Sequence, residues 1–301
     1  MTVERSLDGR VVIVTGAGRG LGLAYALDLA ARGASVVVNT RPRPADAAGS
    51  AERVVETIVA AGGRAVACAL DVGADDAGDR LLDAAWSAFG RLDGLVNNAG
   101  VPEATTLHRQ TVAQFRSIFE TNFFGSLTVT LPIYRRMREQ GAGRIVMTTS
   151  AAGLYGVHGM AAYSASKAAI IGLMQVVALE GGPRGVRCNA IAPYALTGMT
   201  DAYVDEAVAA AMPPEAVAPV VSWLVSERCP LNGETLVAGA GKVRAAWRIE
   251  GSGIDLGGAT SPERLDDEVG RVLSQAGWTC PTDGQAAFEA FIADRVAATT
   301  S

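Results

Sequence analysis

Tyr163 and Lys167 stand four residues apart in Tyr163-Ser164-Ala165-Ser166-Lys167, the spacing that places two side chains on one face of a helix. A phenol beside an ammonium has a lowered pKa and can serve as a general acid or base near neutral pH. The chain holds 6 Tyr and only two Lys, Lys167 and Lys242, so an accidental Tyr-x-x-x-Lys match has an expectation of about 0.04 on composition alone. The flanking residues are small and apolar, as on a buried cleft helix rather than a solvated one. Upstream, Ser150 closes Thr148-Thr149-Ser150 at the end of a strand-like run, where the cleft of an α/β sheet opens. Taken alone, Ser150 and Asn122 read more readily as cap or turn residues.

A second group of residues has the composition of a dinucleotide cradle. Thr15-Gly16-Ala17-Gly18-Arg19-Gly20-Leu21-Gly22 follows an apolar run and opens a helical pattern. Glycines there permit a tight turn and let backbone N–H groups approach a pyrophosphate. Where a carboxylate would bind the ribose 2′-OH of NAD, the chain reads Val38-Asn39-Thr40-Arg41-Pro42-Arg43. Asn39, Thr40 and Arg41 are expected cofactor contacts there, and Arg41, with Arg19 in the glycine loop, matches a 2′-phosphate, because guanidinium groups grip phosphate in a fork geometry. The pattern favours NADP(H) over NAD(H), against the bland reading of Arg41 and Arg43 as solvated loop charges.

These residues need a scaffold, and the hydropathy pattern supplies one. Strand-length runs at Val11–Thr15, Ser35–Asn39, Ala65–Leu70, Gly94–Asn97, Arg144–Thr149, Val186–Ile191 and Thr235–Ala238 alternate with helical stretches. The latter include one continuous helix from Val112 to Gln140 and another from Ala162 to Glu180. Continuous apolar strands are buried on both faces, as a parallel sheet requires. The expected architecture is α/β, a doubly wound parallel sheet of about seven strands with helices on both faces. Residues 1–240 form this domain, and residues 241–301 a helical appendage that serves the substrate cleft or oligomer contacts.

Composition closes off other classes. Over 301 residues, 49% are hydrophobic and 19% charged, ample for a packed core. The net charge of −5 and the lack of a basic block speak against nucleic acid. Cys68, Cys188, Cys229 and Cys280 are scattered and the histidines are His108 and His158, which offers no zinc-ligand spacing and no metal site. No apolar run approaches the roughly 18 residues of a membrane span. Arginine-heavy basic usage suggests a high-GC bacterial source, and the chain reads as cytoplasmic with reduced thiols. His158 lies between Ser150 and Tyr163 and could touch substrate; His108 has no evident partner.

The glycine loop, Asn97-Asn98-Ala99-Gly100, Asn122, Ser150 and the Tyr163/Lys167 pair together resemble the short-chain dehydrogenase/reductase family over roughly residues 8 to 240. The resemblance implies a Rossmann-type sheet and a catalytic tetrad. In it Tyr163 moves the proton, Ser150 hydrogen-bonds the substrate oxygen, Lys167 binds the nicotinamide ribose and lowers the Tyr163 pKa, and Asn122 holds a relay water. It also implies cofactor contacts at Asp71 and Val72, at Asn98, Ala99 and Gly100, and at Pro193, Leu196 and Thr197. The family's usual Pro-Gly is replaced here by Pro193-Tyr194, which shifts Thr197 by one position. The stretches 144–155, 188–200, 213–227 and 237–250 are similar to the (3R)-hydroxyacyl-CoA dehydrogenase modules of peroxisomal multifunctional enzymes. An acidic residue of those modules is replaced by Thr40, and their loop before the second helix is longer. The resemblance implies a ketone/secondary-alcohol oxidoreductase for a 3-oxoacyl or (3R)-hydroxyacyl thioester, built as a homodimer or homotetramer through the two long helices. A ketoreductase of secondary-metabolite or steroid-like carbonyls, and a non-catalytic NADP-binding protein, are the rival readings.

Overall fold

The computed structural model describes residues 4–42, 50–195, 211–255, 262–274 and 277–299. The strands are β1 (Val11–Val14), β2 (Ser35–Thr40), β3 (Arg64–Ala69), β4 (Gly94–Asn97), β5 (Gly143–Thr148), β6 (Val186–Pro193), β7 (Thr235–Gly239) and β8 (Lys242–Ala246). Their order in the sheet is β3-β2-β1-β4-β5-β6-β7-β8, and every pairing from β3 through β7 is parallel. The order reverses between β1 and β4, the point at which a crevice opens beyond the strands' carboxyl ends.

Alternation along the strands sorts side chains between two apolar layers. In β1, Val12 and Val14 join Tyr25, Leu29, Val54, Ile58 and Leu224 on one face. Val11 and Ile13 join Leu81, Val129, Ile133, Ile170 and Met174 on the other. The first layer is covered by α1 (Gly20–Ala31), α2 (Ser50–Ala60) and α8 (Ala218–Leu224), the second by α3 (Ala77–Phe89), α5 (Gly125–Gln140) and α7 (Ala161–Gly181). Between α5 and α7 in the chain lies the short α6 (Ala151–Tyr155).

Three expectations are revised. The sheet has eight strands, because Ala240 and Gly241 both take positive φ, the requirement of a tight reversing turn, and Lys242–Ala246 returns as an added edge strand. The compact units accordingly divide at Ala245/Ala246. The helix expected over Val112–Gln140 is α4 (Val112–Phe119) joined to α5 by a π-helical turn over Glu120–Phe124. Finally, Ala161–Arg184 is long and apolar enough to span a membrane by length and composition. Its apolarity serves packing instead: Ile170, Ile171, Met174, Val177 and Ala178 are buried in the second layer. The second unit holds α9 (Pro262–Val272) and α10 (Gly284–Thr299), with an antiparallel bridge joining Glu250 to Thr279.

Asn39, at the end of β2, is 1% exposed. Its amide donates to the carbonyls of Cys68 (3.0 Å) and Leu70 (3.1 Å) and accepts from Gly16 N (3.4 Å). Truncation would leave these buried backbone groups unsatisfied, at about 1–3 kcal/mol for a lost buried partner. Asn39→Ala is therefore expected to lower unfolding stability by about 3 kcal/mol, read from urea melts, with unchanged secondary structure content.

Candidate active site

Ser150 leaves β5 as the N-cap of α6, its hydroxyl accepting from Ala152 N at 3.1 Å. That leaves its O–H free to donate, and the side chain lies near enough to the Tyr163 phenol to favour the ionised form of that group. Tyr163 and Lys167 sit on the first turns of α7. Lys167 is 4% exposed, its Nζ donates to the Thr148 carbonyl at 2.8 Å, and it lies 5.8 Å from the Tyr163 ring centroid. Burial pushes the Lys167 ammonium down to about 8. The phenol corrects the expectation of a lowered value. Burial raises Tyr163 above the ordinary tyrosine range, and the neighbouring Ser150 hydroxyl opposes this only in part. The ammonium donates to the Thr148 carbonyl, and the burial of the phenol favours its neutral form.

Asn122 is fully buried in the π-helical turn, where the Gly125 N–H reaches back to Glu120 O. Its Oδ1 accepts from Val101 N at 2.8 Å, and its Nδ2 donates to Val101 O (3.1 Å) and to Ser166 Oγ (3.2 Å). Ser166 Oγ in turn donates to the Tyr163 carbonyl at 2.8 Å. Asn122 thus ties the segment after β4 to the helix of Tyr163. A Cβ on Gly100 would lie 3.2 Å from Asn122 Oδ1 and 3.4 Å from Lys167 Nζ, so a larger residue would crowd both groups.

The glycine loop is wired to its neighbours. Thr15 Oγ1 accepts from the N–H groups of Asn98 and Ala99, both at 3.0 Å, and Asn98 Nδ2 donates to Thr15 O at 3.0 Å. A Cβ on Gly22 would stand 2.2 Å from the Gly16 carbonyl oxygen, and one on Gly16 2.9 Å from Ala99 Cα. A Cβ on Gly18 would meet the Thr40 methyl at 2.7 Å, which places Thr40 behind the loop. Gly20, Leu21 and Gly22 open α1, whose N-cap Arg19 makes no side-chain capping bond and whose first turn has no acidic residue. Its N–H groups and positive dipole end therefore suit a diphosphate.

Arg19 is exposed, and Arg41 is half-exposed with Asp71 3.8 Å away. Asp71 also accepts from Gly73 N at 3.0 Å, and Val72 is buried against Gly125. Asn39 is turned into the sheet, so its side chain braces the loop rather than facing a ligand. Pro193 ends β6, and Tyr194 beyond it is half-exposed. Leu196 and Thr197, like Arg43, lie outside the described residues. His108 and His158 converge on one cavity of about 560 Å³, together with Thr106, Leu107, Val157 and Ala161, beside the start of α7. No cluster of three or more His, Cys, Asp or Glu side chains fit for a metal occurs among the described residues.

Sequence reasoning missed the supporting residues: Thr15, the Thr148 carbonyl, Thr149 and Gly153. Three of them are buried threonines at or one residue past a strand end, a signal visible only once their burial is known.

The family model for short chain dehydrogenases matches residues 10–208. Over 238 residues the chain is 43% identical to the peroxisomal multifunctional enzyme type 2 of Mus musculus, a match that covers 78% of this chain and 32% of that enzyme. It is 37% identical over 247 residues to a 3-oxoacyl-[acyl-carrier-protein] reductase of Synechocystis, covering 79% of this chain and 98% of the reductase. The crystal structure of a short chain dehydrogenase from Mycobacterium avium superimposes with a TM-score of 0.78 at 39% identity, covering 90% of this chain and 97% of that one. The chain belongs to the short-chain dehydrogenase/reductase family and is an oxidoreductase acting on CH–OH groups or the corresponding carbonyls. It spans about a third of the mouse enzyme's length.

Because the folded-state pKa of Lys167 is depressed, the unfolded chain binds the extra proton between about pH 8 and the ordinary lysine value of 10.5. Burying the charge thus costs stability below pH 8, about 3 kcal/mol for such a shift, and the cost fades as pH rises through that window. Lys167→Met is expected to unfold at higher urea concentration than wild type at pH 7, with the gap narrowing by pH 10.

Proposed function

We propose that the chain is an NADP(H)-preferring reductase of 3-oxoacyl thioesters or similarly bulky ketones. The observation that carries the reading is the assembly of the partly buried Tyr163 phenol, the Ser150 hydroxyl and the buried Lys167 ammonium at the carboxyl end of β5, next to an open helix N-terminus.

The cradle fits a dinucleotide. Gly16, Gly18, Gly20 and Gly22 leave room for its diphosphate at the start of α1, and Arg41 and Arg19 would hold a 2′-phosphate where β2 ends without a carboxylate. When bound, the reduced nicotinamide supplies a hydride to the carbonyl carbon. Ser150 donates a hydrogen bond to the carbonyl oxygen, and Tyr163 delivers the proton that the new alkoxide requires. Lys167 holds positive charge behind the phenol to stabilise the phenolate left by that transfer, and Asn122 fixes the two segments that meet there. Neutral Tyr163 suits the direction of reduction.

The thioester reading draws on the relatives named as a 3-oxoacyl reductase and a multifunctional enzyme. Substrate would reach Tyr163 past the cavity of His108 and His158, whose apolar wall suits an acyl or pantetheine-like arm. We further propose a homo-oligomer closed over the apolar residues exposed on the long helices, among them Val112, Leu131, Val176 and Leu179.

Initial rates with acetoacetyl-CoA are expected to be at least about tenfold higher with NADPH than with NADH, the discrimination of one charged contact. Arg41→Ala should erase most of the difference, and Tyr163→Phe should lower kcat by about a hundredfold or more while NADPH still binds by fluorescence titration. Equal rates with NADH would sink the Arg41 argument. No turnover of acetoacetyl-CoA with either cofactor would sink the thioester reading.

A further inference from the structure

Two consecutive residues at the end of β5 and one on α6 hold Lys167 from several sides. The Thr148 carbonyl takes the Nζ at 2.8 Å. Thr149, 1% exposed, donates its hydroxyl to the main-chain carbonyl of Lys167 at 2.7 Å. Its own N–H donates to Ile191 O at 2.8 Å, which anchors it in the sheet. Ser150, next in the chain, caps α6 by accepting from Ala152 N at 3.1 Å. One turn on, Gly153 faces the same stretch of α7: a Cβ there would lie 2.7 Å from the Lys167 carbonyl carbon, 2.8 Å from its Cβ and 2.9 Å from Ala168 N. Those neighbours are backbone and a helix Cβ, which cannot swing aside.

The need for such a hold follows from the make-up of α7. Its contacts with the sheet are made by Ile170, Ile171, Met174, Val177 and Ala178, and apolar packing is non-directional. It defines which face is buried far better than where along its axis the helix stops. An error of about 1 Å in a reacting group costs up to about a hundredfold in rate. Directional contacts at the level of Lys167 are what can fix that register.

We infer that Thr149 and Gly153 are positioning residues: the threonine hydroxyl pins α7 to β5 at Lys167, and the bare glycine lets α6 close on the same point, so that Ser150, Tyr163 and Lys167 meet. Neither residue touches substrate or cofactor in this role. The inference rests on the proposed reaction only for its effect on rate.

The composition supplies a probe independent of activity, since Lys167 and Lys242 are the chain's two lysines. In the ligand-free protein labelled with [¹³C]lysine, two side-chain signals are expected, with exposed Lys242 as internal reference. Loosening the hold admits water to Lys167 and raises its titration midpoint from about 8 toward the ordinary range. Thr149→Val, which keeps shape and removes the donor, and Gly153→Ala should each raise it by about half a unit or more. Thr149→Ser should restore the wild-type midpoint. In turnover, the first two should lower kcat about tenfold with KM for NADPH within about twofold.

Unmoved Lys167 titration and unchanged kcat in folded Thr149→Val protein overturn the inference, even if Gly153→Ala fails to fold. So does failure of Thr149→Ser to restore the midpoint. A shifted midpoint in chains whose wild type reduces no carbonyl would support the positioning role and remove the proposed reaction instead.

Discussion

A charged amine placed in the interior of a protein is costly unless its surroundings are shaped around it, and much of this fold is the shape that Lys167 requires. The Thr148 carbonyl meets the Nζ because β5 ends where α7 passes. Gly100 brings the backbone after β4 to within 3.4 Å of the same nitrogen, measured from where a Cβ would stand. Asn122 holds that backbone in place from a π-helical turn. Four elements distant in sequence therefore converge on one ammonium, and the stability it costs is accepted at the place where a charge has a use.

The dinucleotide side is organised by neutral hydrogen bonds instead. Thr15 and Asn98 bond reciprocally across the switch point between β1 and β4, and Asn39 bonds the glycine loop to the strand ends beyond. The loop is thereby held before any ligand arrives, and its glycines serve close approach as much as turning: Gly22 backs onto Gly16, and Gly16 onto Ala99. Pre-set geometry of this kind reduces the ordering cost of binding. The two halves of the site thus use opposite physics, a cradle of neutral hydrogen bonds for phosphate beside a buried ammonium for proton transfer.

The layers and strand sequence were legible because two-sided burial writes continuous apolar runs such as Val11–Val14, and the Tyr163/Lys167 spacing carried its chemistry openly. What was not legible depended on contacts between distant segments. The direction in which the Lys167 amine points depends on where β5 stops, and with it whether the phenol is raised or lowered. The π-helical turn at Asn122 leaves no mark in hydropathy, since one inserted residue hardly disturbs the apolar period. Asn39 read as a ligand contact because it stands where the ribose-binding residue would be, yet a buried amide can be claimed by any unsatisfied backbone nearby. Strand β8 was hidden by its exposure: Lys242, Val243 and Arg244 have no buried face to betray a strand.

That last strand has a consequence for life in a crowded solution. A parallel sheet ending at β7 would present the bare hydrogen-bonding rim of an apolar strand to every neighbouring molecule, an open invitation to accrete further chains. The two-residue reversal at Ala240–Gly241 covers that rim with a short strand carrying Lys242 and Arg244. Like charges on the new rim then work against its pairing with the same rim of another copy.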